Sequence, residues 1–350
     1  MPVILIFRIG QLGDTLISLP AIDAIRLKYP DHRLVLLTDR HQTSKGYVSS
    51  WDILEPTGWF DQVIYYDARV QGSAKLTKML ALAKVLRSLE IDHLYNLSPV
   101  RTKSATLRDE LFFRYMTGAK NYHARPSFKA PASSNKGLPK LMPEWQALCR
   151  IVNTVSQDNH DFHLPIPQSE KEAVISFVQS QDIDLDKKII VIGPGSKMPA
   201  KQWPQEYFEL LGKKLLHEYP QLQLIILGGK EDSSVGEYLS DAWGRRSYNL
   251  AGKLSIYGSA TLLAKSILYV GNDTGTMHLA AMAGAPCLAL FSARDYPGKW
   301  WPYGEQHRVL RRKVECEGCM SHVCEYGNKC LKEIKPEDVF EVAKNMIQAI

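Results

Sequence analysis

Leu268-Tyr269-Val270-Gly271-Asn272-Asp273-Thr274-Gly275-Thr276-Met277-His278-Leu279-Ala280-Ala281 is the stretch whose reading decides the fold. Leu268–Val270 is short and apolar without alternation, as a strand buried on both faces reads. A polar turn follows. Thr276–Ala283 then has a helical pattern rich in small residues. Strand, turn and helix in direct succession form half of a strand-helix-strand unit.

The same grammar recurs along the chain. Apolar runs at Val3–Phe7, Leu34–Leu37, Val63–Tyr66, His93–Leu97, Ile189–Ile192, Leu222–Leu227 and Cys287–Phe291 are strand candidates. Helical patterns at Thr15–Leu27, Leu76–Leu89, Gln205–His217 and Ser234–Trp243 lie between them. This predicts an α/β fold of doubly wound parallel sheets with helices on both faces.

The series occurs twice. The first ends near residue 125 and is followed by a polar, Pro-rich passage, Arg125–Pro143, read as a mobile loop. A helix over Glu144–Val155 comes next. His163-Leu164-Pro165-Ile166-Pro167-Gln168 reads as an extended linker, because its two prolines forbid a helix. The second series starts at Ile189. The expectation is two Rossmann-like domains, 1–165 and 166–350. The last helix, Pro336–Ile350, opens with Pro at a first helical position and acids in the first turn.

Bulk composition bounds the function. A chain of 350 residues is long for one core and comfortable for two. Its 45% hydrophobic and 23% charged residues are ordinary for a globular protein. The formal charge of +6 suits an anionic substrate or an anionic membrane surface. The densest basic cluster, Arg311-Arg312-Lys313, reads as a solvated turn, so nucleic acid is not an expected partner. No segment approaches the ~20 apolar residues that span a bilayer. Met1–Phe7 is too short for a signal peptide, and a cytoplasmic location is expected. Six cysteines over this length do not make a disulfide scaffold. Cys149 and Cys287 sit in apolar surroundings, as packing residues do.

In open α/β sheets ligands bind beyond the carboxyl ends of the strands, which sorts the candidate sites. Ile9-Gly10-Gln11-Leu12-Gly13-Asp14-Thr15 follows the first strand, and its glycines allow a tight turn. Asp14 there is a helix cap or a general base. Gly193-Pro194-Gly195-Ser196-Lys197-Met198-Pro199-Ala200-Lys201-Gln202-Trp203-Pro204 follows the strand at Ile189–Ile192. Small residues, a hydroxyl and two lysines ahead of a helix suit a phosphate, although exposed lysines are common on any surface loop. Gly228-Gly229-Lys230-Glu231-Asp232 offers a carboxylate to a ribose, or simply an acidic helix start. In the opening stretch, Thr274 and the free N–H groups at Gly275 suit a diphosphate. His278 lies one turn further on.

Asp182-Ile183-Asp184-Leu185-Asp186 invites a metal reading, but it precedes a strand and so lies at the wrong end; no catalytic metal and no cofactor are expected. Cys316, Cys319, Cys324 and Cys330 fall within fifteen residues, with His322 between them. A structural zinc site, free thiols and a disulfide all remain open there.

Together these motifs resemble the lipopolysaccharide heptosyltransferases of glycosyltransferase family nine. The resemblance is carried by Gly13-Asp14 with Pro20, by Pro199-Ala200-Lys201-Gln202-Trp203-Pro204, by Gly228-Gly229 with its acids, and by Asp273-Thr274-Gly275 with His278. It runs through nearly the whole chain, and the cysteine-rich tail is similar to that of many relatives. It implies a GT-B architecture, two Rossmann-like domains facing a central cleft, with acceptor on the first and nucleotide sugar on the second. It implies metal-independent inverting transfer, most often of heptose from ADP-heptose, to an anionic lipid-linked saccharide. That acceptor implies an approach to the inner face of the cytoplasmic membrane.

By the same resemblance Asp14 is the base. Lys201, Asp273, Thr274, Gly275 and His278 serve the donor, as does Glu231 or Asp232 at the ribose. Ser196 and Lys197 stand where relatives use hydroxyl groups on phosphate, so Lys197 is a departure. Arg8 and, more weakly, Arg101 face the acceptor. Two other readings compete: a nucleotide-sugar epimerase of the same architecture, and a non-catalytic nucleotide- or zinc-binding protein.

Overall fold

The computed structural model describes residues 1–39, 48–67, 73–99, 103–125, 137–152 and 162–349. Contacts divide the chain into one unit of residues 1–131 with 144–160, and a second of residues 132–143 with 161–350. Arg101 and residues 126–136 of the Pro-rich passage lie outside the described residues.

The first unit is built on strands β1 (Val3–Phe7), β2 (Arg33–Asp39), β3 (Gln62–Tyr66), β4 (Ile91–Asn96) and β5 (Asn121–Ala124). They form one sheet in the order β3-β2-β1-β4-β5, and every pairing is parallel. All five residues of β1 are buried, which accounts for its unbroken apolar run. Its helices are α1 (Leu12–Leu16), α2 (Leu19–Lys28), α3 (Ser50–Leu54), α4 (Ser73–Arg87), α5 (Lys103–Leu111) and α6 (Glu144–Ile151).

One helix expected over Thr15–Leu27 is two. The Ser18 hydroxyl donates to the Thr15 carbonyl at 2.7 Å, and Pro20, which lacks an N–H, starts the second helix.

The second unit opens with α7 (Gln168–Ser180) and holds strands β6 (Ile189–Gly193), β7 (Gln223–Ile226), β8 (Ser247–Asn249), β9 (Leu268–Asn272), β10 (Cys287–Phe291) and β11 (Arg308–Arg311). Their order is β11-β10-β9-β6-β7-β8, again all parallel. Helices α8 (Gln205–Glu218), α9 (Ser233–Trp243), α10 (Ile256–Lys265), α11 (Gly275–Met282), α12 (Lys329–Lys332) and α13 (Pro336–Gln348) cover it. One core joins Ile190, Ile226 and Val270 of the sheet to Trp203, Phe208, Leu215 and Ile347.

In both units the first strand lies mid-sheet and the winding reverses beside it. The reversal falls between β1 and β4 in one unit and between β6 and β9 in the other. Such a switch point splays the loops that leave it and opens a crevice for a ligand.

Candidate functional site

At the second unit's switch point, Gly193 of β6 stands in register with Gly271 of β9. Asn272, the next residue, is fully buried. Its Nδ2 donates to the Pro194 carbonyl at 2.7 Å, and its Oδ1 accepts from the Trp203 N–H at 3.0 Å. One side chain therefore fixes both ends of the loop between β6 and α8. The buried Trp203 anchors that loop from below, its indole N–H donating to the Ile334 carbonyl at 2.9 Å. Asn328 holds its far side, donating to the carbonyls of Pro199 at 2.8 Å and Gln202 at 3.1 Å.

Lys201 ends a short 3-10 turn in this loop and pairs with Asp273 at 2.7 Å. Its side chain is 15% exposed and that of Asp273 7%. The carboxylate thus holds the ammonium beside the start of α11. Thr274 is extended at φ −148° and does not cap that helix with its side chain. The first N–H groups of α11 and one lysine thereby converge at the switch point, which suits a diphosphate. His278 is buried on the same helix, its backbone N–H donating to the Thr274 carbonyl at 3.2 Å.

Ser196 shapes the loop: its hydroxyl accepts from the Met198 N–H at 3.2 Å, and its carbonyl accepts from the Gln202 side chain at 2.8 Å. Lys197 is exposed. Of the two candidate ribose acids, Glu231 is exposed, whereas Asp232 lies against the loop. A Cβ on Gly195 would meet Asp232 Oδ1 at 2.0 Å, so only glycine allows this approach. Asp232 Oδ2 accepts from the Gly229 N–H at 2.9 Å. Burial pushes its carboxyl up from the ordinary value, aided by Glu231 and opposed by the Gly229 N–H and the Lys197 charge.

At the first unit's switch point Asp14 is the third residue of α1 and partly exposed. The helix N-cap is Gln11 rather than Asp14, whose Oδ2 accepts from the Gln11 N–H at 3.1 Å, the third-position half of a capping box. Gly10, at φ +129°, makes room for it: a Cβ there would lie 2.6 Å from Asp14 Cβ. Arg8, 1% exposed, donates to the carbonyls of Leu97 and Asp14. Expected to face an acceptor, it instead ties β1, the end of β4 and α1 together. Burial lowers its pKa to about 10, with Asp14 and Glu144 raising it and Arg125 lowering it; it stays charged at neutral pH. Arg125 is engaged by Glu144 at 3.0 and 2.9 Å.

Asp182, Asp184 and Asp186 precede β6, at the amino end of its sheet. Cys316, Cys319, Cys324 and Cys330 are free thiols that line one small cavity. The Ala293 N–H donates to Cys330 Sγ at 3.3 Å. Among the described residues no group of three or more His, Cys, Asp or Glu side chains is arranged to hold a metal.

Two parallel-sheet Rossmann-like units, one with a lysine and a helix start at its switch point, put the chain in the GT-B class. The sequence profile of glycosyltransferase family 9 (heptosyltransferase) matches residues 79–330, and the chain belongs to that family. It is similar to lipooligosaccharide heptosyltransferase 2 of Campylobacter jejuni, 28% identical over 168 residues, 46% of this chain and 52% of that protein. The chain spans about half the length of the curated relatives it matches. A glycosyltransferase family 9 structure from Veillonella parvula has a TM-score of 0.76 at 18% identity, covering 100% of this chain and 98% of that one. The E. coli heptosyltransferase WaaC with ADP has a TM-score of 0.63 at 17% identity, covering 98% and 99%.

Proposed function

We propose that the chain is an inverting, metal-independent glycosyltransferase that moves heptose from ADP-heptose to an anionic, lipid-linked saccharide of lipopolysaccharide-core type. Residues 1–165 take the acceptor and residues 166–350 the donor. The observation that carries the reading is the Lys201–Asp273 pair, held beside the start of α11 at a switch point tied by Asn272. The Campylobacter relative is named for heptose transfer, and the E. coli structure of the same fold contains ADP; both support the choice of donor.

The chemistry follows from charge. The bond from the sugar's anomeric carbon to the diphosphate breaks, and negative charge collects on the departing ADP. Lys201 and the α11 N–H groups stabilise that charge, in the role a metal plays elsewhere. Thr274 and Gly275 bring the backbone to the diphosphate, and Asp232 accepts from a ribose hydroxyl. Asp14 takes the proton of the acceptor hydroxyl as its oxygen attacks the face opposite the leaving group. The buried Arg8 positions Asp14. The acidic run before β6 stands at the amino end of its sheet, away from this chemistry. Among the described residues no helix is long and apolar enough to cross a membrane. We place the chain at the cytoplasmic face of the inner membrane, where such an acceptor lies.

Thermal unfolding with ADP, UDP, GDP or CMP, with and without EDTA, tests the donor. ADP should raise Tm equally in both conditions, because a ligand bound only by the folded state stabilises it. Lys201→Ala should remove most of that rise. A wild-type Tm unmoved by all four nucleotides would overturn the reading.

A further inference from the structure

Among the described residues, the first unit carries an exposed apolar face. On α4, Leu76, Leu80 and Val85 are 63%, 51% and 47% exposed. On α5 and the π-turn after it (Phe112–Met116), Leu107, Leu111 and Tyr115 are 57%, 50% and 70% exposed. Leu76 with Leu80, and Leu107 with Leu111 and Tyr115, follow the four-residue step that stacks side chains along one helix side. Single exposed apolar residues are ordinary; two stripes on helices that share a cavity are not. That cavity, of about 720 Å³, has Phe7, Leu37 and Phe113 among its apolar walls, and Lys75, Lys78 and Arg108 with Asp39, Asp67 and Asp109 as its charged ones.

The charge on α4 is one-sided, and that on α5 is mixed. α4 has Lys75, Lys78, Lys84 and Arg87 and no acid. α5 and the π-turn have Lys103, Arg108 and Arg114 against Asp109 and Glu110. The three elements together carry seven cations and two acids, a net +5. Asp67 pairs with Lys78 at 3.4 Å, Asp109 with Arg108 at 2.8 Å and Glu110 with Arg114 at 2.9 Å, which leaves Lys75, Lys84 and Arg87 of α4 as the excess cations beside the leucines. A globular partner would need a matching acidic rim; an anionic bilayer meets both features at once, with an apolar interior under phosphate headgroups. The cavity also reaches Ile9, the residue before Gly10, and Tyr66 at the end of β3. It thus borders the same carboxyl edge of the sheet on which Asp14 stands.

We propose that the α4–α5 face of the first unit docks on an anionic lipid bilayer. The leucine stripes enter the acyl boundary and the surrounding cations meet the headgroups. The reaction proposed above supplies the purpose of this docking, a lipid-linked acceptor, but the docking is measured without any reaction.

The full-length chain would be sedimented with phosphatidylcholine vesicles, plain or with about one-third phosphatidylglycerol. It should bind only the anionic vesicles, and less as salt rises. A variant with Leu76→Ser, Leu80→Ser, Leu107→Ser and Leu111→Ser should bind about tenfold more weakly even at low salt. Lys75→Glu with Lys84→Glu should remove the preference for anionic lipid. All of these side chains are exposed, so Tm and its rise with ADP should stay at wild-type values in both variants. That control separates a failure of docking from a failure of the donor site. Equal binding by wild type and both variants would overturn the proposal, as would no vesicle binding by the wild type. Self-association abolished by the serine changes, without vesicle binding, would assign the face to a second copy and overturn it equally.

Discussion

The two units share one winding, yet their switch points have opposite polarity. In the first, the cation is buried and the acid faces outward: Arg8 is 1% exposed and donates from both terminal nitrogens to carbonyls, while Asp14 stands partly exposed on the turn it secures. In the second, the acid is buried and the cation leads: Asp273 is 7% exposed and holds Lys201, which is 15% exposed, beside the start of α11. Topology supplies a crevice in both cases, and the order of charges sets what each can do. An outward carboxylate can take a proton; an outward ammonium can hold a phosphate.

The comparison breaks most visibly at Asp14. Asp14→Asn keeps the side chain's size and an oxygen for the Gln11 N–H, and it removes the basic group. Transfer should fall by about 10²–10⁴-fold, the usual contribution of a positioned base. The ADP-induced rise in Tm should be unchanged, since that site belongs to the other unit. Transfer rate and melting curve on the same sample check both halves. A variant that keeps its rate would make Asp14 a capping-box partner of Gln11 and nothing more.

The central strands were legible because strands buried on both faces must be apolar throughout, as β1, β6 and β10 are. Of the edge strands, β3 is legible from its β-branched and aromatic run at Val63–Tyr66, whereas β5, β8 and β11 were not. Asn121–Ala124, Ser247–Asn249 and Arg308–Arg311 are short and largely half-exposed, so no apolar run is imposed on them. The glycine-rich turns betrayed both switch points, because residues just after a strand are few and unusual in type. What periodicity could not reveal was which polar residue is structural. Asn272 sits inside the quoted motif, yet only its contacts with Pro194 and Trp203 show that it is the tie. A fully buried amide at the end of an apolar strand is the signal that could have found it. Arg8 shows the opposite difficulty: sequence gives its charge, and the fold decides that the charge points inward.

Asn272 sharpens the comparison from the other unit. Asn272→Ala leaves the Pro194 carbonyl and the Trp203 N–H buried without this partner. Two orphaned groups cost together about 3 kcal/mol. The loop that carries Lys201 should loosen, and ADP affinity should fall about tenfold, read by calorimetric titration below the lowered Tm. Unchanged ADP affinity with lowered stability would show that the loop keeps its shape by Trp203 and Asn328 alone.

The smallest expected effect concerns acid, and it tests whether the second unit's rigidity has a pH limit. His307 is buried beside β10. Its Nδ1 accepts from the Cys287 N–H at 3.0 Å, while Nε2 faces the Tyr303 carbonyl. A protonated ring would carry a hydrogen on Nδ1 and lose the Cys287 bond. Burial lowers its pKa to about 4, outweighing the Tyr303 carbonyl, which raises it; the charge of Arg308 lowers it further. The unfolded chain titrates near the ordinary ~6.5. Above that value both states are neutral and the full stability is present. As pH falls toward 4 the unfolded state takes a proton that the folded state refuses, so stability is lost through this window. Between pH 7 and pH 5 the loss should be about 2 kcal/mol. In the first unit burial lowers both His93 and His123, hydrogen-bonded at 2.9 Å, so acid should weaken that unit in the same direction. Urea unfolding at a series of pH values, comparing wild type with His307→Gln, isolates the contribution. The variant should start less stable at pH 7 and lose less on acidification. Parallel pH slopes would mean that the acid sensitivity of the second unit lies elsewhere, and that His307 is a packing residue whose proton never matters.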